Sequence, residues 1–509
     1  MAHLNLDDVQ GNILHGYKVD VVRHLVVRVA DRRAACEFLG LVVSGDEKVP
    51  QLTTAARWKE KPDSMLNVAI SATGLLALGV SASSYESFPS EFREGVVARA
   101  AKLGDVGDSA PAYWVQSLGN PDDVHVMWSI HAASAATRER VSAQLESAWR
   151  DTGAFIITAT LDGKNLADDK VHFGYRDSIS QPRFRVTDET GETNVFGLSD
   201  EQPLSHVGAV LLGHDTSFPG VRWQEPVPAE LGRGGTFNAF RVLEQDVAGF
   251  EAFLAETVRR HPELDVELVA AKLMGRWRDG TPLILAPNRP DEFRPPPKAG
   301  DYGLDRNLMG IEAASMALDP IEPNPHVDDR ARDEYREANL NNFDYVKPAE
   351  PTTYNDDHEG LVCPIGAHIR RANPRGARIV QRSANYTRRL VRRGIPYGDE
   401  FDPARPNEGG PRGLLGNFIC SSLIAQFESI MYDWVNKGLQ DPRITGSNDP
   451  VLGANDVRTS RFEFSHAGTT YVLRGFPRFI KTAGSAYLFM PSITGVRLLA
   501  ATETPPATR

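Results

Sequence analysis

Apolar residues in the first third of the chain recur alternately at the spacing of strands and at the spacing of helices. From residue 124 to 130 every second residue is apolar, which is typical of a strand with one buried face. Residues 134–149 instead form an amphipathic helical pattern. The predicted elements are a strand at 22–29, a helix at 32–41, a strand from 67 that leads into a short helix, a strand at 124–130, a helix at 134–149 and a strand at 155–161. The order β-α-β-β-α-β is that of a ferredoxin-like unit.

A similar set of patterns returns in the second half of the chain. The predicted elements are a strand at 235–243, helices at 246–260 and 267–277, a strand at 414–423, a helix at 424–437 and closing strands at 471–473 and 487–491. We therefore predict an α+β fold of two ferredoxin-like halves, residues 1–225 and 226–509, with antiparallel sheets and peripheral helices. Prolines between about residues 286 and 359 predict a long insertion of loops, with one helical patch near 331–340.

Composition narrows the class of protein without naming a function. The chain has 509 residues, of which 41% are hydrophobic and 24% charged, as expected for a globular protein with a sizeable core. At about 150 residues per domain the length allows roughly three units, or one large domain in two parts. The net charge of −11 argues against a general nucleic-acid binder, so no nucleic-acid partner is expected.

Cysteine usage and apolar runs exclude two further classes. The cysteines are Cys36, Cys363 and Cys420, and this wide spacing fits neither a disulfide framework nor a CxxC metal site. No apolar run approaches 18 residues, so no membrane span is expected. The first residues, Met-Ala-His-Leu-Asn-Leu-Asp-Asp, lack the basic and apolar regions of an export signal, and we expect a cytoplasmic location.

One stretch reverses the acidic character of the chain. Between residues 370 and 393 there are nine arginines and no acidic residue, and His368 precedes them in an apolar turn. Guanidinium groups suit an anionic ligand with several oxygens, and an imidazole beside them is what an iron porphyrin with two propionates requires. Such an arginine run can equally be a solvated face or a nucleic-acid patch, and a lone histidine can simply belong to the core.

The order of residues in this stretch resembles a known family. Ala367-His-Ile-Arg-x-x-x-Pro-Arg375, followed by Arg392-x-Gly-Ile-Pro-Tyr-Gly398, is similar to the haem-binding segment of the dye-decolorizing peroxidases, especially the larger members in fungi and some bacteria. Residues 172–182, His-Phe-Gly-Tyr-Arg-Asp-Ser-Ile-Ser-Gln-Pro, are similar to the family segment that contains Gly-x-x-Asp-Gly. Further segments that resemble the family, in its order, are residues 10–14, 72–75, 240–246 and 273–277.

The resemblance implies a haem b peroxidase with a dimeric α+β barrel-like arrangement of its halves. It implies that His368 is the proximal ligand of the haem iron and that Asp177, on the distal face, moves a proton between the two oxygens of hydrogen peroxide. It implies that Arg392 stabilises the charge on the leaving oxygen. Peroxide would then oxidise phenolic, dye-like or other small organic reductants through a ferryl intermediate.

Further cofactor-binding residues follow from the same resemblance. Arg370 and Arg375 match family positions near the haem propionates, and His172 matches a residue at the haem edge. Leu414 would line the distal pocket. Asp449, in Gly-Ser-Asn-Asp-Pro, is predicted by a weaker likeness to be the carboxylate behind the iron-bound histidine.

The chain departs from the family pattern at two positions. Ser178 stands where the family has glycine, and Gly416 stands where it usually has phenylalanine. The serine is expected to shift the distal loop if that position requires positive φ, and the glycine to open the pocket. The alternatives are a haem carrier or storage protein, a specialised metabolite oxidase on the same fold, and a haem-free structural protein. The physiological substrate and the oligomeric state are left open.

Overall fold

A computed structural model describes residues 3–115, 117–197, 204–216, 220–292, 337, 340–341, 343–345, 357–375, 388–406 and 408–502. The strands are β1 His3–Leu4, β2 Val21–Val29, β3 Ser64–Ile70, β4 Val126–Ala132, β5 Phe155–Lys164, β6 Arg183–Asp188, β7 Thr193–Phe196, β8 Leu204–Ser205, β9 Thr236–Gln245, β10 Val391–Tyr397, β11 Gly413–Cys420, β12 Arg461–His466, β13 Thr469–Arg474 and β14 Ile480–Met490. The α-helices are α1 Gly11–Leu14, α2 Arg32–Leu41, α3 Ala72–Ala77, α4 Ala82–Glu86, α5 Ser90–Leu103, α6 Ala135–Arg150, α7 Ala229–Gly232, α8 Val247–Arg260, α9 Val266–Met274, α10 His368–Ala372 and α11 Ile493–Ala500.

The predicted elements of the first half are confirmed, and their helices begin at polar caps. The carboxylate of Asp31 accepts a hydrogen bond from the backbone N–H of Ala34 at 2.8 Å, which starts α2 after β2. The hydroxyl of Ser134 accepts one from the backbone N–H of Thr137 at 3.1 Å, which starts α6 after β4. The order β2-α2-β3-β4-α6-β5 is interrupted only by α3, α4, α5 and short turns between β3 and β4.

The main sheet has eight antiparallel strands in the order β10-β11-β9-β14-β3-β4-β2-β5. In the first half, β3 and β4 lie together and are followed by β2 and then β5. In the second half, β10 and β11 lie together and are followed by β9 and then β14. In both halves the second and third strands in chain order are thus followed by the first and then the fourth. That order is the ferredoxin-like order, so the predicted α+β fold of two such halves is confirmed. The halves join where β14 meets β3, through the pair Phe489 and Ile70. The described strands form no closed barrel, although Gly163 of β5 lies directly against Ile395 of β10 at the two free edges.

The second half differs from its prediction in three details. The strand predicted at residues 471–473 exists as β13, but it pairs with β12 in a separate hairpin and does not close the main sheet. The helix predicted at 424–437 consists of two π-helical segments, Leu423–Glu428 and Ile430–Asn436. Strand β10 was not predicted at all. The insertion predicted at about 286–359, with its helical patch, falls largely outside the described residues, and the boundary at 225/226 stays a prediction.

Buried apolar side chains form two clusters on the two sides of strands β10 and β11. The larger cluster packs against the main sheet and includes Ile395 and Leu415. The smaller cluster packs α8 and α9 against the β12–β13 hairpin, and Leu414 borders it. Successive residues of a strand point to opposite faces, so neighbouring residues of β10 and β11 face different clusters. Among the described helices, none is long and apolar enough to cross a membrane.

Candidate active site

A cavity of about 890 Å³ lies between the two apolar clusters. Its size falls within the range of about 300–1,000 Å³ that is usual for ligand and cofactor sites. The residues predicted for the site that line this cavity are Asp177, His368, Arg375, Arg392 and Leu414. His172, Arg370 and Asp449 are not part of its lining.

His368 is held in a fixed orientation by Asp449. His368 is the first residue of α10, and Nδ1 of its imidazole lies 2.9 Å from Oδ2 of Asp449. Oδ1 of Asp449 accepts hydrogen bonds from the backbone N–H groups of Val451 and Leu452, at 2.8 and 2.9 Å. Both carboxylate oxygens are therefore used. When Nδ1–H donates to the carboxylate, Nε2 is left as the unprotonated nitrogen that faces the cavity.

The charge on Asp449 is stabilised although its side chain is fully buried. Burial acts to raise its pKa, but the neighbouring His368 and Arg371 outweigh that effect, and the net shift is downward from 3.8. Arg371 is itself immobilised by carbonyl oxygens of Gly366, Trp434 and Ser447. The carboxylate therefore remains available as the acceptor for the imidazole at neutral pH.

Asp177 lies in the loop after β5 and reaches the cavity from another direction. Its backbone N–H donates to the carbonyl of Asp169 at 2.9 Å, which holds the loop. Its carboxylate has no hydrogen bond or ion pair with any residue in the described ranges. The next residue, Ser178, is exposed and has φ of 59°, so the position does adopt the left-handed conformation that favours glycine. A half-exposed, unpaired carboxylate at a cavity wall can accept and return a proton.

Arg392 approaches the same loop from β10. Its Nη2 donates to the carbonyl of Ser180 at 2.7 Å. Its backbone also exchanges two hydrogen bonds with the side-chain amide of Gln181, at 3.1 and 2.8 Å. These contacts fix the guanidinium beside the loop of Asp177 and leave its other nitrogens for a ligand in the cavity.

Two further arginines give the cavity a buried positive charge. Arg375 donates to the carbonyls of Asn341 and Phe343, and its guanidinium lies 3.7 Å from the centre of the Phe343 ring. Arg276 was not predicted, although it lies in a segment that resembles the family. Its pKa is lowered to about 9 by burial and by the nearby Arg375. These cations create a favourable environment for a carboxylate-bearing ligand.

The predicted contact of Arg370 with haem propionates is not supported. One terminal nitrogen donates to Asp357 Oδ2 at 2.9 Å and to the carbonyl of Cys363 at 2.6 Å, and the other donates to the carbonyl of Asp357 at 2.8 Å. The guanidinium also stacks on the Tyr345 ring, 4.4 Å from its centre. Arg370 therefore stabilises the loop before α10 from within the protein, away from the cavity. Arg378 and Arg382, two further arginines of the same run, lie outside the described residues.

His172 is buried beside the site rather than in its wall. Its Nε2 donates to the carbonyl of Tyr397 at 2.8 Å, and its Nδ1 is buried with no partner among the residues described. Burial lowers the pKa of this histidine. The predicted position at the edge of a haem stays a prediction.

The space at Gly416 is occupied by a neighbouring aromatic ring. Gly416 lines the cavity, but a Cβ added there would lie 2.9 Å from the ring of Phe418. Phe418 is two residues further along β11 and so lies on the same face. The expectation that Gly416 opens the pocket is therefore corrected, because Phe418 supplies an aromatic wall. Strand alternation would have identified Phe418 from the sequence.

The π-helical segments supply apolar walls that the sequence analysis missed. Phe427, Met431 and Trp434 all line the cavity, and they come from the region that was predicted as an ordinary helix. Their side-chain direction depends on the wider π-helical turn, which a helical period of 3.6 residues does not reveal.

The cavity has the features that a haem group requires. Nε2 of His368 belongs to an oriented ring and is left for a ligand; two arginines are buried in the wall, and aromatic and aliphatic side chains form other parts of it. Oε1 of Gln245, a residue of the lining, is buried without a partner among the described residues.

Comparisons with known proteins agree with this geometry. The family model described as "DyP dimeric alpha+beta barrel domain" matches residues 8–163. "Peroxidase 2" of Mycetinis scorodonius is 28% identical over 97% of this chain and 87% of its own length. A multifunctional dye peroxidase of Amycolatopsis sp. is 26% identical over 97% of this chain and 96% of its own length. Among solved structures, an ancestral D-type dye-decolorizing peroxidase superposes with a TM-score of 0.72 at 25% identity, over 97% of this chain and 99% of that one.

Proposed function

This chain belongs to the dye-decolorizing peroxidase family, and from that premise we propose that it binds haem b at His368 and uses hydrogen peroxide to oxidise phenols or dyes. Dye-decolorizing peroxidases are haem enzymes, and the chain is a peroxidase of this type. Haem b, when bound, supplies the iron that passes electrons between peroxide and the organic reductant.

The side chains on the His368 side hold and orient the cofactor. Nε2 of His368 is the iron ligand, and Asp449 fixes the tautomer and the ring orientation through Nδ1. A carboxylate behind the imidazole also increases the basicity of the ligand nitrogen. Arg375 and Arg276 would neutralise the carboxylates of the cofactor, and Leu414, which also lines the cavity, would pack against it.

The side chains on the Asp177 side act on peroxide. Asp177 takes the proton from one peroxide oxygen and returns it to the other, for which its carboxylate must be free of other partners. Arg392 donates to the oxygen on which negative charge develops. Its contact with the carbonyl of Ser180 keeps it beside the loop that carries Asp177.

One observation carries the proposal. A fully buried carboxylate holds His368 with its Nε2 toward a cavity whose wall also contains an unpaired acid and an arginine. A protein that only carried or stored haem would need the first half of this arrangement but not the acid and the cation.

The test is a turnover assay on protein produced with haem supplied. We expect oxidation of 2,6-dimethoxyphenol that requires both peroxide and bound haem. Protein with full haem occupancy that oxidises neither this phenol nor a dye at any pH between 3 and 7 would contradict the proposal.

A further inference from the structure

The backbone of Arg392 is held by a side chain and not by a neighbouring strand. Among the described strands β10 pairs only with β11, and in that pairing Arg392 stands opposite Phe418. The N–H and C=O of a strand residue point to the same edge, and those of Arg392 bind the carboxamide of Gln181 at the outer edge. The carboxamide donates to the carbonyl at 2.8 Å and accepts from the N–H at 3.1 Å. Gln181 therefore takes the place of one residue of a further strand.

Gln10 makes the same arrangement in the first half of the chain. Its carboxamide accepts from the N–H of Val68 in β3 and donates to the carbonyl of the same residue, both at 2.9 Å. Strands β3 and β10 are the second strands of their halves. Gln10 is fully buried and does not line the cavity, so its hydrogen bonds stabilise the sheet. Gln181 is half-buried and lines the cavity, so the same hydrogen bonds there hold a residue that faces a ligand.

Gln181 also belongs to the loop that carries Asp177, which lies four residues earlier. The backbone N–H of Asp177 donates to the carbonyl of Asp169 at 2.9 Å and holds one end of this loop. At the other end, the carbonyl of Ser180 accepts from Nη2 of Arg392 at 2.7 Å. Without the Gln181 carboxamide, the flexible guanidinium would have to hold this end of the loop against β10 through its contact with Ser180.

We propose that Gln181 is a positioning residue for the reaction with peroxide, because its carboxamide fixes the backbone of Arg392 relative to the loop of Asp177. The inference rests on the peroxidase function proposed above, and Gln181 itself transfers no proton. Two groups that act on the same pair of oxygens must keep a precise separation, and a misplacement of about 1 Å can cost about 100-fold in rate. A carboxamide supplies the required donor and acceptor at an edge that no further described strand covers.

The first experiment measures the reaction of haem-loaded Gln181→Leu with hydrogen peroxide by stopped flow. Leucine is similar in size but forms no hydrogen bond, so we expect full haem occupancy and a rate constant about three- to tenfold below that of the wild type. Gln51→Leu is the matched control. The carboxamide of Gln51 also accepts from a backbone N–H, that of Gly45 at 2.8 Å, and donates to the carbonyl of Leu41, but it lies outside the cavity lining. Its rate constant should equal that of the wild type.

The pH profile of Gln181→Glu separates positioning from general support of the fold. A protonated carboxyl group offers a donor and an acceptor, as the carboxamide does, whereas a carboxylate only accepts. The ordinary pKa of glutamate is about 4.3. The rate constant of Gln181→Glu, divided by that of the wild type at the same pH, should be near one below a pH of about 4 and should fall as pH rises through about 4 to 5. The same ratio for Gln181→Leu should be low at every pH.

Hydrogen exchange of the Arg392 backbone amide gives a measurement that needs neither haem nor turnover. The N–H of Arg392 is bonded to Gln181, so its exchange should be faster in Gln181→Leu than in the wild type, with or without haem.

The outcomes distinguish this inference from the proposed function. A haem-loaded wild type that does not react with peroxide would contradict the proposed function, and the positioning role with it. A wild type that reacts, together with a wild-type rate in Gln181→Leu or a pH-independent ratio in Gln181→Glu, would overturn the positioning role alone. Unchanged exchange of the Arg392 amide would overturn it as well. Gln181→Glu keeps the test valid if Gln181→Leu does not fold.

Discussion

On one side of the cavity His368 is held by a fully buried carboxylate, whereas on the other side the carboxylate of Asp177 has no hydrogen-bond partner among the described residues. The His368 side is built from α10 and the turn after the π-helical segments, and Asp449 uses both of its oxygens there. The Asp177 side consists of a half-exposed loop and the edge strand β10.

The difference suits the two chemical tasks that we propose for His368 and Asp177. An imidazole that binds iron must keep one orientation through every turnover. It therefore benefits from rigid hydrogen-bond partners that are in place before the cofactor binds. A proton carrier must gain and lose a proton, so a permanent partner for its carboxylate would oppose its task. Substitutions on the two sides should therefore fail in different ways, in cofactor retention on one side and in rate on the other.

The largest effect is expected from His368→Ala. The variant loses the proposed iron ligand, and we expect it to be purified with little haem or with loosely bound haem, as measured by the Soret absorbance per protein. His261→Ala is the control, because that half-exposed histidine lies outside the cavity lining. Full haem occupancy with an unchanged axial-ligand spectrum in His368→Ala would show that His368 does not bind the iron.

Asp449→Asn should weaken haem binding without abolishing it. Loss of the carboxylate behind a metal-bound histidine typically costs about 10–100-fold in affinity. The measurement is haem transfer to an excess of apomyoglobin. An exchange rate equal to that of the wild type would show that Asp449 does not orient His368.

At low pH, protonation of the Asp449 carboxylate should remove its contribution to the stability of the protein. Because the pKa of Asp449 is lower in the folded protein than its ordinary 3.8, its contribution to stability is fully present above 3.8 and is lost as pH falls through the lower folded value. We expect the wild type to lose stability in that acid range more steeply than Asp449→Asn, as followed by thermal unfolding across a pH series. Parallel profiles of the two proteins would contradict the assignment.

Asp177→Asn and Arg392→Leu should retain haem and slow the reaction with peroxide at least about tenfold, since each removes a group that we propose to act only on the reacting oxygens. Stopped-flow absorption measures the rate. Arg405→Leu is the control, because that arginine is paired with Asp402 and Glu408 and does not line the cavity. Wild-type rates in both variants would refute their roles.

The smallest effect is expected from Ser178→Gly. Ser178 has φ of 59°, and relief of this conformation should stabilise the protein by about 1 kcal/mol. Denaturant unfolding measures the change, and Ser180→Gly in the same loop is the matched control. Equal stability of wild type and Ser178→Gly would show that the loop carries no strain at this residue.

Sequence patterns predicted the strands of the first half well because alternation and helix caps are local signals. Strand β10 was missed because Arg-Arg-Gly-Ile-Pro does not alternate, and it is held in place by β11 rather than by its own pattern. Its Pro396 is tolerated because β10 is an edge strand.

The site was predicted less evenly than the fold, for a related reason. Motif order predicted His368, Asp177 and Arg392, which all line the cavity, but it could not tell which arginines of a dense run face a ligand. Arg370 turns to Asp357, which lies outside the motif, whereas Arg375 reaches the cavity. The direction of a side chain in a short helix depends on such tertiary partners, and sequence spacing alone does not reveal them.

The most direct test of the account is the absorption spectrum of the haem-loaded protein in the first seconds after one equivalent of hydrogen peroxide is added. We expect a ferric Soret band that converts rapidly and completely in the wild type and slowly in Asp177→Asn, and that returns when a phenol is added. A Soret band that only bleaches slowly in the wild type would contradict it, because haem would then be bound without a working arrangement of Asp177 and Arg392.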